Sequence, residues 1–253
     1  VQQVNECVTV GDYTMTLESF AMDENDLGIA WFVVTCPKGF KYTTETGANE
    51  YGEPALSQDS EFRGIGLDRE EDRHPRCWPE VNEEFTTPTE LHLLLHFDAN
   101  PDGKDLTRLT WGMTVMGHED DEGVIVVEPP EKRAETVQCT SDESEFVVSV
   151  SPFGYVVDGH AVLQEYYEAI EEKTLFMMND GTELVALEDL EELDGYSLMT
   201  YNLFFATMPE DNRSGRALTT FFINTDALES VTIQLTWCGG DEDRVNTGDV
   251  VFY

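Results

Sequence analysis

The stretch Asp98-Ala-Asn-Pro-Asp-Gly-Lys-Asp105 sets side-chain oxygens at the first, third and fifth positions of a calcium loop and glycine at the sixth. The pattern then fails, because Leu109 stands at the twelfth position, where a bidentate Glu belongs, and apolar strand-like runs flank the loop. Asp98, Asn100, Asp102 and Asp105 are therefore expected to form an Asx- and Gly-stabilised hairpin turn without a tightly held ion. His92 and His96 invite a zinc reading, since on a helix a spacing of four brings both onto one face. They lie in Leu91-His-Leu-Leu-Leu-His-Phe97, where strand alternation also puts them on one face but about 13 to 14 Å apart, too far for one metal. His74, His118 and His160 sit in polar or turn segments and read as exposed. Gly64-Ile-Gly66 lacks the third glycine and the helix start of a dinucleotide loop, and neither a Gly-x-Ser-x-Gly elbow nor a P-loop occurs. With 52 carboxylates in the chain, a glycosidase-like pair could be chosen anywhere and carries no information. No residue is assigned a catalytic, cofactor-binding or metal-binding role, and no cofactor is expected.

Aromatic residues offer a different kind of chemistry. Trp31, Trp111 and Trp237 stand within apolar runs and read as core. Trp78 lies in His74-Pro-Arg-Cys-Trp-Pro79, a loop-like context in which it could stack on a sugar or peptide or, as the favoured reading, plug the loop. Cys7, Cys36, Cys77, Cys139 and Cys238 are odd in number, widely spaced and free of CxxC pairs, which excludes a zinc framework or a dense disulfide scaffold. They read as buried free thiols; one disulfide fits the count but cannot be assigned.

The elements that would position these groups are strands. Tyr13 to Phe20 alternates, the turn Asp23-Glu-Asn-Asp26 follows, and Leu27 to Cys36 completes a hairpin. Leu91 to Asp98 and Leu106 to Met116 flank the residue 99–104 turn and suggest a second hairpin. Residues 37–90, rich in Gly, Pro and charge, read as long loops with one short strand. The prolines in Glu128-Pro-Pro-Glu-Lys-Arg133 mark a domain boundary, giving domains 1–133 and 134–253. Beyond it come Phe146 to Val150, the turn Ser151-Pro-Phe-Gly154, Tyr155 to Val157, and a short amphipathic helix over Ala161 to Glu172 on which Val162, Tyr166 and Ile170 recur every four residues. Thr174 to Met178 and Thr182 to Leu187 pair across Asn179-Asp-Gly181. Leu198 to Thr207, Leu218 to Asn224 and Val231 to Trp237 read as further strands. Sliding the first segment by 133 residues lays Tyr13 on Phe146, Met15 on Val148, Leu17 on Val150, Phe20 on Phe153 and Met22 on Tyr155, which suggests tandem copies of one module.

Charge bounds the partners. A formal net charge of −38 is shared by the halves, with 28 acidic and 10 basic residues through Arg133 and 24 against 4 after it. Such a surface repels phosphate backbones and anionic headgroups, so nucleic acid and peripheral membrane binding are excluded; the charge is read first as a solubilising field. The longest apolar run, Leu27 to Cys36, is far too short to span a bilayer. The start at Val1, with neither Met nor a signal-type segment, suggests an upstream targeting or anchoring part.

The order of these segments resembles a family of extracytoplasmic domains of unknown function in Gram-positive bacteria, carried by anti-sigma-factor-like single-pass membrane proteins. The resemblance rests on Val4 to Ser19, Asp23-Glu-Asn-Asp-Leu27 with its following strand, Val148-Ser-Val-Ser-Pro-Phe-Gly154, Asn179-Asp-Gly-Thr182 and Phe222 to Ile233. Residues 37–90 have no counterpart in it. It implies two tandem immunoglobulin-like antiparallel β-sandwich domains, mainly β with one short helix in the second, lying outside the membrane and anchored by a helix beyond this chain. It implies no catalytic residue. The expectation is a non-enzymatic, extracellular sensor or interaction region that meets an unknown protein or small ligand; the alternative is a secreted carbohydrate- or cation-binding surface module.

Overall fold

The computed structural model describes residues 1–40, 61–67, 75–100, 106–118, 121, 123–142, 144–158, 170–187, 214–219, 221–238 and 245–253. The chain is mainly β: the described residues form four antiparallel sheets and hold no helix beyond a 3-10 turn at Thr225–Ala227. It separates into two compact units, Val1–Met22 with Asp26–Arg133, and Asp23–Asn25 with Ala134–Tyr253.

In the first unit, β1 (Gln2–Val10), β2 (Tyr13–Met22), β3 (Leu27–Thr35), β4 (Phe62–Leu67), β5 (Arg76–Val81), β6 (Glu90–Asp98), β7 (Leu109–Val115) and β8 (Val124–Val127) form two sheets, ordered β1-β2-β3-β6-β5 and β4-β7-β8. The β2–β3 hairpin is as expected, with Met22 opposite Gly28 and Thr14 opposite Thr35. The second expected hairpin does not form. Strand β6 pairs with β3 and β5, while β7 pairs with β4 and β8, so the residues after Asp98 carry the chain from one sheet to the other. Both strands present an apolar phase, and lying in opposed sheets lets each bury it against the other. Trp111 on β7 is fully buried, with its ring centroid 5.0 Å from Phe97 on β6 and 5.2 Å from Phe32 on β3. One continuous core fills the space between the two sheets, an arrangement consistent with a β-sandwich.

Among the described residues of the 37–90 segment stand two strands, β4 and β5, rather than the expected one. Glycines in the first and Pro79 in the second hide their periodicity, and Pro79 is tolerated because β5 is an edge strand. Strand β2 contains a further irregularity. Its pairing register shifts between Leu17 and Ser19, making Glu18 the extra residue of a bulge. Tyr13, Met15 and Leu17 face the core before the bulge, and Phe20 and Met22 face it afterwards, because one inserted residue reverses the alternation.

The second unit contains β9 (Val137–Ser141), β10 (Ser144–Ser151), β11 (Gly154–Asp158), β12 (Ile170–Met178), β13 (Glu183–Leu187), β14 (Ser214–Leu218), β15 (Leu228–Cys238) and β16 (Val245–Phe252), in sheets ordered β14-β11-β10-β9 and β13-β12-β15-β16. The expected β10–β11 hairpin forms with Ser151 opposite Gly154, as does the β12–β13 hairpin with Met177 opposite Glu183. Its core draws on both sheets, with Tyr155 against Phe176 at 5.5 Å and the Tyr155 hydroxyl satisfied by Thr174 Oγ1 at 2.8 Å. Of the expected helix, Ile170 to Glu172 are strand: Ile170 lies opposite Thr236, and cross-strand pairing overrides a four-residue apolar repeat. Its remaining residues, and the expected strand Leu198 to Thr207, lie outside the described residues. The expected strand Leu218 to Asn224 is displaced: β14 ends at Leu218, and Phe221 to Asn224 run irregularly into the 3-10 turn. The internal match also breaks at one point, since the step from Leu17 to Phe20 is a bulge within one strand, whereas the step from Val150 to Phe153 is a turn between two.

Candidate groove on the outer face of the five-stranded sheet

The alternation that sends Ala30, Phe32 and Val34 of β3 into the core sends Ile29, Trp31 and Val33 to the opposite face. On β6 the same logic gives that face to His92, Leu94 and His96, and on β5 to Trp78 and Glu80. The ladders align these residues in rows across the sheet. Ser19 lies opposite Trp31, Trp31 opposite Leu94, and Leu94 opposite Glu80; the next row brings Ile29 opposite His96 and His96 opposite Trp78.

An open groove of about 570 Å³ lies over this face, walled by Glu18, Trp31, Leu94, Glu80, Glu83 and Phe85 together with Asn82 and His92. Trp31 is half-buried, and Phe85, in the connection from β5 to β6, is 56% exposed. The Phe85 and His92 rings are 6.0 Å apart between centroids. That connection is held in place by its backbone: the Asn82 amide donates to the His92 carbonyl at 2.9 Å, the Thr86 amide to the Asn82 carbonyl at 3.1 Å, and the His92 amide to Thr86 Oγ1 at 3.1 Å. Alternation from Leu17 puts Glu18 on this side of β2, and the bulge brings Ser19 to the same side. An aromatic and aliphatic floor rimmed by three carboxylates, with no Lys or Arg among the lining residues, suits a cationic or amphipathic ligand.

The two histidines do share a face, but each engages its own carboxylate. His92 Nε2 is 2.8 Å from Glu90 Oε1, and His96 Nε2 is 3.3 Å from Glu80 Oε2. His96 is buried and its Nδ1 has no hydrogen-bond partner. Among the described residues no group of three or more His, Cys, Asp or Glu is placed to hold a metal. Asp98 and Asn100 of the calcium-like stretch are buried; the Asn100 amide donates to Asp98 Oδ1 at 3.2 Å and the Asn100 side-chain amide to Asp26 Oδ2 at 2.8 Å. Asp26 also pairs with Arg133. This polar cluster fastens the β2–β3 turn, at which Asp26 adopts φ +65°. Asp102 and Asp105 lie outside the described residues, as do His74 and His160. His118 is partly exposed, with Nδ1 2.8 Å from Asp121 Oδ2.

No known family model matches the chain, and no curated protein matches it. A solved structure to which it is similar is that of the conserved domain protein from Bacillus anthracis, at 10% identity and a TM-score of 0.47, with 99% of this chain and 90% of that chain covered.

Two tryptophans stand elsewhere than expected. Trp31 belongs to the groove rather than the core, and Trp78 belongs to strand β5 rather than a loop. Trp111 is core, as expected, and Trp237 lies on β15. Glu18, Phe85, Glu80 and Glu83 carry no motif that would find them in the sequence. The one available signal is that Leu27 to Cys36 is apolar on both strand phases, which marks a strand whose two faces are both occupied.

Proposed function

We propose that the chain is a non-enzymatic interaction region that holds a partner in the outer-face groove of its first unit. The observation that carries this reading is the groove itself: Trp31, Phe85 and Leu94 offered to solvent between Glu18, Glu80 and Glu83. The strand order supports a finer architecture of two immunoglobulin-like sandwiches. Strands β2-β3-β6-β5 against β4-β7-β8 follow the four-plus-three order of that fold, and β10-β11-β14 against β12-β15-β16 repeat most of it, with β13 added beside β12. In this reading the chain is the extracytoplasmic part of an anti-sigma-factor-like, membrane-anchored regulator. The groove's aromatic and acidic lining equally favours a secreted carbohydrate- or cation-binding surface module as the second reading.

Titration of the chain with a lysine-bearing peptide, its glutamate counterpart and cellohexaose tests the groove. Saturable binding of at least one, lost in Trp31→Ala and in Phe85→Ala, supports the reading; binding of none, or binding indifferent to both substitutions, overturns it. The gene upstream separates the two settings: a cytoplasmic domain and a membrane helix support the regulator, and a secretion signal running directly into Val1 supports the secreted module.

A further inference from the structure

The groove has a length as well as a chemistry. From Glu18 beside Trp31 on β2, across β3 and β6 to Glu80 on β5, its floor crosses three inter-strand steps, about 14 Å at 4.7 to 4.9 Å each. A carboxylate stands at each end and Trp31 and Leu94 lie between, with Glu83 beside the Glu80 end. An extended peptide spans the same distance in four residues, about 13 to 14 Å at 3.3 to 3.4 Å per residue. We infer that the groove receives an extended basic segment of a partner protein, with two Lys or Arg side chains four residues apart, one meeting Glu18 over Trp31 and the other meeting Glu80 and Glu83.

The inference rests on the groove being the binding surface and adds the class of occupant. Charge complementarity argues for it, because the lining holds three carboxylates and neither Lys nor Arg, and its one imidazole, His92, already faces Glu90, in a chain of net charge −38. Trp31 adds a π face on which an ammonium or guanidinium can rest. The apolar middle, Trp31 and Leu94, receives the aliphatic stems of Lys or Arg, which bury their methylenes while keeping the charged head at a carboxylate. The groove is open to solvent, unlike sites that bury most of a small ligand, and so leaves room for a chain laid over the sheet.

The test is calorimetric titration of the whole chain at 0.15 M NaCl with the capped peptide Gly-Lys-Ser-Ser-Ser-Lys-Gly, the same peptide with both lysines replaced by glutamine, spermine, and cellohexaose. One-to-one binding of the lysine peptide is expected, with little or none of the glutamine peptide. Glu18→Gln, Glu83→Gln and Trp31→Ala should each weaken it about twofold to fivefold, while Asp180→Asn, in an exposed turn of the other unit, leaves it unchanged. Phe85→Ala, at a residue with little packing to lose, gives the same weakening should Trp31→Ala fail to fold. Equal binding of the glutamine peptide, spermine binding as tightly as the peptide, or equal weakening by Asp180→Asn overturns the inference. Binding of cellohexaose alone, lost in Trp31→Ala, leaves the groove a binding site and overturns only its basic occupant; no binding of any probe removes both.

Discussion

Gly28 illustrates how much of this fold is decided at single atoms. A β-carbon there would lie 2.3 Å from the Ala21 carbonyl oxygen and 2.6 Å from Phe97 Cζ. The first neighbour is backbone of the paired strand β2 and the second sits in the Trp111 cluster, so neither yields without moving the sheet or the core. Gly28→Ala should therefore cost about 1 to 3 kcal/mol, the usual range for overpacking; urea unfolding checks this, and a change below about 0.5 kcal/mol would show that the strands part easily. Buried acids supply a second residue-scale prediction. Burial pushes the Cys77 and Cys139 thiols above their ordinary value of 9.0, and burial followed by the nearby Cys36 pushes the Tyr13 phenol above 10.0. Because folding favours their protonated forms, that contribution is complete below pH 9 and is lost as pH rises through the higher folded-state values. The melting midpoint should fall between pH 9 and 10.5, and Cys77→Ala combined with Cys139→Ala should make the fall shallower. An unchanged slope in the double variant would assign the fall to other groups.

Turns decide which strands become neighbours, and the sequence is readable in proportion to how local each turn's chemistry is. Gly181 has φ +84° at the tip of the β12–β13 hairpin, with open space around it, and the Thr182 amide donates to Asp180 Oδ1 at 2.9 Å, which holds the Asp180 carboxyl below its ordinary range. Gly181→Ala adds no clash, so its cost should be the left-handed backbone alone, about 1 kcal/mol, measured on the unfolding of the second unit. A cost near zero would mean that the turn relaxes to another type. Asn179-Asp-Gly181 and Pro152-Phe153 could be read as hairpins because their pairing is set within a few residues. The passage after Asp98 could not, since turn-forming residues look alike whether the chain folds back beside itself or crosses to a facing sheet; Phe97 meeting Trp111 across the core is what separates the cases. The Glu18 bulge was invisible for a similar reason. Leu17 and Phe20 are spaced as an irregularity, but the same spacing at Val150 and Phe153 is a turn. The groove inherits this limit, because Glu18, Trp31, Leu94 and Glu80 come from four strands, and only the register of three ladders, Ser19 to Trp31 to Leu94 to Glu80, with the bulge residue Glu18 beside Ser19, brings them together.

For the whole molecule the governing quantity is charge. At most 14 of the 52 carboxylates can find a Lys or Arg of their own, so the excess stands unneutralised wherever the strands place it. The described ion pairs, such as Arg133 with Asp26 and Lys38 with Asp12, fasten single turns and leave the balance unchanged. Folding brings the remaining carboxylates closer together than they sit in the unfolded chain, so like-charge repulsion works against the compact state. Its reach depends on salt: the Debye length is about 30 Å at 0.01 M and about 8 Å at 0.15 M, so that interval removes repulsion between carboxylates that are not immediate neighbours while sparing short contacts. The melting midpoint at pH 7 should therefore rise by a few degrees between 0.01 and 0.15 M NaCl. Potassium chloride should act equally if the effect is screening, whereas a specific cation site would separate the two salts. A flat or falling midpoint would mean that bound ions already neutralise the acidic surface, and the field that is argued to draw a basic segment to the groove would be correspondingly weaker.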